Sequence, residues 1–301
     1  MKYRKLGRTN LNVSVIGIGT WQFGGEWGIN FTQEMVDAIF EKGRELGINL
    51  IDTAECYGDH TSEAFIGNAI NRDRDKWVLA TKFGHKFNAP FDRTDRRSAA
   101  DVTKQVEDSL IALKTHYIDL LQYHSVRDGE FTDPWVRDVL VKLVRDGKVR
   151  FIGNSIGSAA IAADGTNDQA LRSSEFNVSV LQVVYNRLDR RPDEGARSVF
   201  KTAIEQNLGV LARVPLASGL LSGKYKPGTQ FSENEVRGKW KDPKLEEKLK
   251  EVEQIQQKEV PKGMNMAKWA LAWCLKNPAV ASVIPGCKNV HQVEENASAG
   301  E

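Results

Sequence analysis

The chain has 301 residues, 41% of them hydrophobic, with 42 Lys and Arg against 40 Asp and Glu and a formal net charge of +2. That is apolar material for one enzyme-sized core or two smaller domains, and the near-balance of charge gives no electrostatic case for nucleic acid or an anionic membrane as a partner. No apolar run approaches the ~18 residues of a membrane span and no signal-peptide core follows Met1; Cys56, Cys274 and Cys287 form no CxxC, so a reduced, cytoplasmic setting is expected.

Along the chain, Tyr3–Leu6 and Val13–Val15, joined by Gly7-Arg8-Thr9-Asn10, read as an N-terminal β-hairpin. Val15–Gly19 is a Gly-rich strand. Glu34–Leu46 has helical spacing and stops at Gly47, a C-cap signal. A short strand ends at Asp52, and a helix follows over Ser62–Ile70. Val78–Lys82 is a strand, Gly84–Ser98 a polar loop, Ala100–Leu113 a helix, and Leu120–His124 a strand. Asp133 and Pro134 open a helix as N-cap and first residue, running to Val144. Then come a strand (Val149–Gly153), a weak helix (Asn167–Arg172), a strand (Val178–Tyr185), a helix (Glu194–Gln206) and a strand (Gly209–Val214). A long loop spans Pro215–Pro243. Helices over Lys244–Gln257 and Met266–Lys276, a strand over Val280–Ile284 and a helix over Val290–Ala297 complete the chain. About eight strand–helix units without a linker or repeat predict a single domain over 1–301, a (β/α)8 TIM barrel with an N-terminal hairpin.

Three of these strands end in different ionisable groups: Asp52, Lys82 and His124, with Tyr57 in a Gly-terminated turn five residues beyond Asp52. Strand ends share one rim of a barrel, so the four are expected together. A free phenol titrates near ~10, and a neighbouring lysine ammonium would pull it down. Lys82 needs a counter-ion, which Asp52 supplies, and His124 can hydrogen-bond a substrate oxygen. The set makes a general acid for a developing alkoxide. Singly, each residue has an ordinary explanation, as turn residue, surface lysine or rim histidine; the four together do not. His60, His85, His116 and His291 sit in polar surroundings and read as surface, Cys56 as an apolar filler.

An acid for an alkoxide calls for a hydride donor. Gly17-Ile18-Gly19-Thr20-Trp21-Gln22 lacks the third glycine of a Rossmann fingerprint. Two other segments suit an anion: the Gly/Ser-rich loop Pro215–Tyr225 with Lys224, and Ile284–Asn289 at a helix N-terminus with Lys288. Trp21, Trp27 and Phe87 could form an apolar wall. Arg237 could reach a phosphate or lie in solvent.

Taken together, these segments resemble the aldo-keto reductase family, from Gly19-Thr20-Trp21 to Gln292–Asn296, nearly the whole chain. The resemblance implies a catalytic tetrad of Asp52, Tyr57, Lys82 and His124 with Tyr57 as proton donor. It implies a nicotinamide cofactor bound by Gly19, Thr20 and Trp21, by Asn154, Ser155, Gln182 and Arg213 at the nicotinamide, by Pro215, Leu216, Ser218 and Lys224 at the pyrophosphate, and by Gly286, Lys288, Gln292, Glu295 and Asn296 at the adenosine end. A basic residue near the 2′-phosphate position favours NADP(H) over NAD(H). The implied activity is NADPH-dependent reduction of a small aldehyde or ketone, without nucleic acid, membrane or metal.

The chain departs from the family in three places. Arg213 stands where many members stack an aromatic ring on the nicotinamide. Gly153-Asn154-Ser155-Ile156 replaces the usual Gly-Val-Ser-Asn. The chain stops at Glu301, where members usually continue into a loop over the substrate, which implies an open site or a shortened chain. Two other functions compete: a Schiff-base aldolase using Lys82, and a cofactor-bound regulatory subunit like the potassium-channel β subunits of the same family. A metal-dependent hydrolase is disfavoured by the lack of an HxH pair.

Overall fold

The computed structural model describes residues 1–301, apart from the side chain of Trp240. Two short strands, β1 (Tyr3–Lys5) and β2 (Asn12–Ser14), pair antiparallel as the hairpin. Eight parallel strands follow: β3 (Ile18–Gly19), β4 (Leu50–Asp52), β5 (Val78–Phe83), β8 (Ile118–His124), β9 (Val149–Ser155), β10 (Val178–Val184), β11 (Gly209–Arg213) and β12 (Ser282–Val283). Each pairs with the next, and bridges Ile16–Val283 and Gly19–Gly286 join the two outer strands. The sheet thus closes on itself, as a barrel requires. The remaining two strands, β6 (His85–Ala89) and β7 (Asp92–Asp95), form a hairpin beyond β5.

Strand alternation divides the core. One face of each strand packs outward on the helices, through residues such as Ile51, Leu79, Leu121, Leu181 and Val210. The other points inward, where Leu50, Val78, Ala80, Leu120, Val180 and Leu211 fill the barrel floor. Two residues further along the same inward face come Asp52, Lys82, Gln122, Gln182 and Arg213. Apolar residues therefore fill the bottom of the barrel and ionisable ones stand at its C-terminal rim.

The N-terminal hairpin plugs the floor. Leu6 and Val13 are fully buried in the inner cluster, and Gly7 bridges to Leu208. A Cβ on Gly7 would lie 2.1 Å from the Gly209 backbone nitrogen, and its φ is +51°. Both facts require glycine. Gly7→Ala is expected to cost at least ~2 kcal/mol in urea unfolding, because neither contact can relax without moving the plug.

The Asp133 cap expected from sequence forms, whereas the helix expected from Ser62 starts at Thr61 behind a left-handed His60 with no side-chain cap. Thr32, Ser98, Asp133, Asn167, Ser198, Asn265 and Asn289 each accept a backbone N–H as N-cap. Three further segments differ from expectation. The helix expected over Glu194–Gln206 begins only after the Ser198 cap and spans Val199–Glu205. The polar loop Gly84–Ser98 holds the β6–β7 hairpin, folded back toward the rim. The long loop after β11 carries a 3-10 turn (Ala217–Ser222) and a short helix (Val236–Trp240). No described helix is long and apolar enough to cross a membrane.

Candidate active site

The barrel brings the four rim residues together. Lys82, 1% exposed, donates to Asp52 Oδ2 at 2.7 Å, to the Thr53 carbonyl at 2.6 Å and to the Tyr57 hydroxyl at 3.3 Å. Asp52 Oδ1 accepts from Gln182 Nε2 at 2.6 Å and Gln122 Nε2 at 3.2 Å. Gly153 makes room for this: a Cβ there would meet the Gln122 side chain at 2.9 Å. Burial opposes the Lys82 ammonium, but Asp52 and Tyr57 outweigh it and raise its pKa. A lysine so held stays an ammonium and lacks the free amine of Schiff-base chemistry.

Tyr57 differs from expectation in one respect. Withdrawal from water pushes its phenol up to about 12, against the pull of Lys82. The charge on Lys82 is largely committed to Asp52, so desolvation wins. The phenol therefore holds its proton at neutral pH, as a donor must. Its ring packs against Trp21 and lies edge-to-face with His124, centroids 6.2 Å away in each case. Burial, then the cationic surroundings of Lys82, Arg213 and Arg93, hold His124 well below the usual histidine range, so it is neutral.

Two cavities meet at Tyr57. The first is a cleft lined by Gly19, Thr20, Trp21, Gln182, Arg213, Pro215, Leu216, Ser218, Lys224, Gly286, Lys288, Gln292, Glu295 and Asn296, along with Asp52 and Tyr57. Sixteen residues singled out from sequence thus share one wall system. Asn154 and Ser155 do not line it. On β9, alternation turns Asn154 out of the barrel, where its Nδ2 donates to Gln169 at 2.9 Å. Ser155 faces inward, but its hydroxyl is spent on Gln182 Oε1 at 3.2 Å.

The loop after β11 is tightly wound: Val214, Ala217, Ser218 and Gly219 all have positive φ, from 47° to 93°, and the Ala217 and Gly219 amides bond back to the Val214 and Leu216 carbonyls. For a β-branched valine that is a costly conformation, and a right-handed residue followed by a left-handed one, as at Leu216–Ala217, is the turn geometry of anion-binding backbone concavities. Across the cleft, a Cβ on Gly286 would collide with the Gln22 amide, whose Oε1 is buried without a hydrogen-bond partner. Sequence reading named the segments that hold Gln22, Ser222 and Tyr225 without singling these residues out, and missed Asn265, a polar wall residue with no motif of its own. Arg237 is half-buried, paired with Glu235 at 2.7 Å and stacked over Phe231 at 4.2 Å.

The second cavity, about 630 Å³, opens on the other side of Tyr57, with Trp21, His85, Arg93, His124, Ser125, Ser158 and Asn186 among its walls. His85 is a correction to the surface reading. The β6–β7 hairpin carries it inward, its side chain is 16% exposed, and its ring centre lies 4.7 Å from that of His124. Cys56 is 1% exposed, in keeping with its reading as filler. Two buried acids went unnoticed. Glu26 accepts from Trp21 Nε1 and the Phe91 amide, both at 2.7 Å, and pairs with Arg93, tying hairpin to rim. Glu55 accepts from the His85 amide at 2.9 Å, and burial pushes its carboxyl up to about 7.

Comparison with known proteins gives one answer. The profile of the Aldo/keto reductase family matches residues 15–301. The uncharacterized oxidoreductase YqkF of Bacillus subtilis is 31% identical over 99% of this chain and 91% of its own. The L-glyceraldehyde 3-phosphate reductase of Escherichia coli K12 is 28% identical over 99% and 87%. The holo form of aldo-keto reductase AKR11C1 from Bacillus halodurans superposes with a TM-score of 0.80 at 30% identity, over 100% of this chain and 91% of that one. The chain belongs to the aldo/keto reductase family, as an NAD(P)H-dependent oxidoreductase built on a (β/α)8 barrel.

Proposed function

We propose that the single barrel binds NADP(H) in the first cleft and a small hydroxylated aldehyde or ketone in the second, and reduces the carbonyl with Tyr57 as general acid. The observation that carries this reading is the Tyr57 hydroxyl at the junction of two cavities, backed by a buried Lys82–Asp52 pair.

The cleft suits the cofactor. The positive-φ loop supports a pyrophosphate role for Pro215, Leu216, Ser218 and Lys224 through backbone amides and one ammonium. The unpartnered Gln22 Oε1 and the Gly286 cradle offer polar contact and space for the adenosine end, with Lys288, Gln292, Glu295 and Asn296 around them. Gln182 supports the carboxamide. The Arg213 guanidinium, donating to the Ile156 carbonyl at 3.2 Å, is a flat surface able to lie against a conjugated ring. When bound, the reduced nicotinamide supplies the hydride.

The protein does the rest. His124 orients the carbonyl oxygen by a hydrogen bond. Tyr57 delivers its proton to that oxygen as negative charge develops, and Lys82 steadies the resulting phenolate while Asp52 keeps Lys82 in place. The second cavity sets His85, Arg93, His124, Ser125 and Asn186 among largely apolar walls, and those polar groups could hold the hydroxyls of a small substrate, in line with a relative named as an L-glyceraldehyde 3-phosphate reductase.

Fluorescence titration with NADPH and NADH, followed by oxidation of NADPH with an aldehyde panel, tests the proposal. Submicromolar binding of NADPH with turnover of glyceraldehyde-like substrates is the expected result. Binding without turnover on any carbonyl would favour a regulatory subunit, and no binding to either nucleotide would overturn the reading. Lys288→Ala should weaken NADPH about 10- to 100-fold, the worth of one charge-assisted contact at ~1.5–3 kcal/mol, and NADH much less. Equal losses for both would remove Lys288 from the 2′-phosphate.

A further inference from the structure

Glu55, Cys56, His85 and His124 each offer a ligand atom, and all four atoms lie within 4.8 Å of one another. The proposed reductase chemistry uses only His124 of these. We propose that the four side chains form a high-affinity, inhibitory site for a borderline-soft dication, zinc above all, in the wall of the substrate cavity.

The spacing fits. Cys56 Sγ lies 3.7 Å from His124 Nδ1, His85 Nδ1 lies 4.0 Å from Glu55 Oε1, and His124 Nδ1 lies 4.0 Å from Glu55 Oε2. The edges of a tetrahedron with metal–ligand bonds of 2.0–2.3 Å run about 3.3–3.8 Å, so small rotations close the site. Two of the candidate atoms are buried with no hydrogen-bond partner: Glu55 Oε2, on a carboxylate 2% exposed, and His85 Nδ1. Buried polar atoms are rarely left so, and both aim into the same small volume. Cys56, His85 and His124 line the second cavity, which gives an ion a route in.

The donor set selects the metal. Thiolate, two imidazoles and a carboxylate suit zinc or cobalt(II), and one thiolate with one carboxylate neutralises the dication. Lys82, Arg93 and Arg97 stand nearby and repel hard cations that lack a thiolate bond. Binding displaces the Cys56 proton. It also moves the His85 proton to Nε2. That atom now faces Arg97 at 3.1 Å and would turn to Asp95 Oδ1, 3.6 Å away, giving the carboxylate–histidine–metal arrangement that orients metal-bound imidazoles. A metal here binds His124 through Nδ1, fixes the ring and fills part of the cavity that the carbonyl substrate would occupy, while leaving the cofactor cleft untouched.

Cobalt(II) titration of the reduced, cofactor-free protein tests this without any assay of turnover. One equivalent should produce a thiolate-to-cobalt charge-transfer band and strong tetrahedral ligand-field bands, both erased by zinc. Cys56→Ala should abolish the charge-transfer band. His85→Gln should keep it while weakening zinc about 10- to 100-fold, at least what loss of a supporting contact costs a metal site. NADPH titration confirms that both variants are folded. In turnover assays zinc should compete with the carbonyl and not with NADPH. Absence of the band, its survival in Cys56→Ala, or unchanged zinc affinity in both variants would overturn the proposal, whatever the enzyme reduces.

Discussion

Tyr57→Phe is expected to lower kcat by about 10²- to 10⁴-fold, the usual worth of a positioned general acid. The change deletes one oxygen and leaves the ring, so its packing against Trp21 and His124 is retained. NADPH affinity should stay within about two-fold, because the cleft is built mainly from the loop after β11 and the turn after β12. Stopped-flow measurement of NADPH oxidation, beside fluorescence titration, separates the two quantities. Turnover within a few-fold of the wild type would mean another group, His124 foremost, delivers the proton. The loss should fall on kcat rather than KM, because the phenol matters most once the oxygen carries charge.

Lys82→Met is expected to be costly in two ways. The methionine fills a similar volume without an ammonium, so the Asp52 carboxylate, 4% exposed, keeps its contacts with Gln182 and Gln122 but loses its counter-charge. Removing one partner of a buried pair costs about 3–5 kcal/mol, read as a shift in the urea midpoint. Activity should fall at least as far as in Tyr57→Phe, since the phenolate loses its stabilising charge. Adding Asp52→Asn should restore most of the stability and none of the activity. That double-mutant cycle separates the structural work of the pair from its catalytic work. A Lys82→Met protein of wild-type stability would mean that the carboxylate is solvated rather than enclosed.

Much of this molecule is legible without coordinates, for reasons that can be named. Barrel strands are short apolar runs alternating with helical periods, and both periods survive in the sequence. Asp52, Lys82 and His124 could be grouped in advance because each ends such a run, and parallel strands bring their C-terminal ends to one rim. The loop proposed for the pyrophosphate stands out through its glycines and serines, whose composition reflects the left-handed backbone at Ser218 and Gly219. Asn154 shows the limit of matching by motif. It stands one residue from Ser155, and a strand turns neighbours to opposite faces, so Asn154 bonds Gln169 outside the barrel while Ser155 bonds Gln182 within it.

What only the tertiary structure decided concerns burial and long-range proximity. Glu26, Glu55 and His85 are polar residues in polar stretches, and nothing local distinguishes them from surface groups. They become enclosed because the β6–β7 hairpin folds over the rim, a choice made by contacts such as Glu26 with the Phe91 amide, 65 residues apart in sequence. The Tyr57 phenol was expected to be lowered by Lys82. Desolvation at the assembled rim instead raises it, and the extent of that desolvation is a quantity that no spacing encodes. Sequence alone determined the barrel, its N-terminal hairpin and the residue types at its rim, because local periodicity and strand polarity carry that information. The pairing of charges, the two cavities that meet at Tyr57 and the Glu55–Cys56–His85–His124 cluster were decided by packing, which joins segments whose separate sequences give no sign of one another.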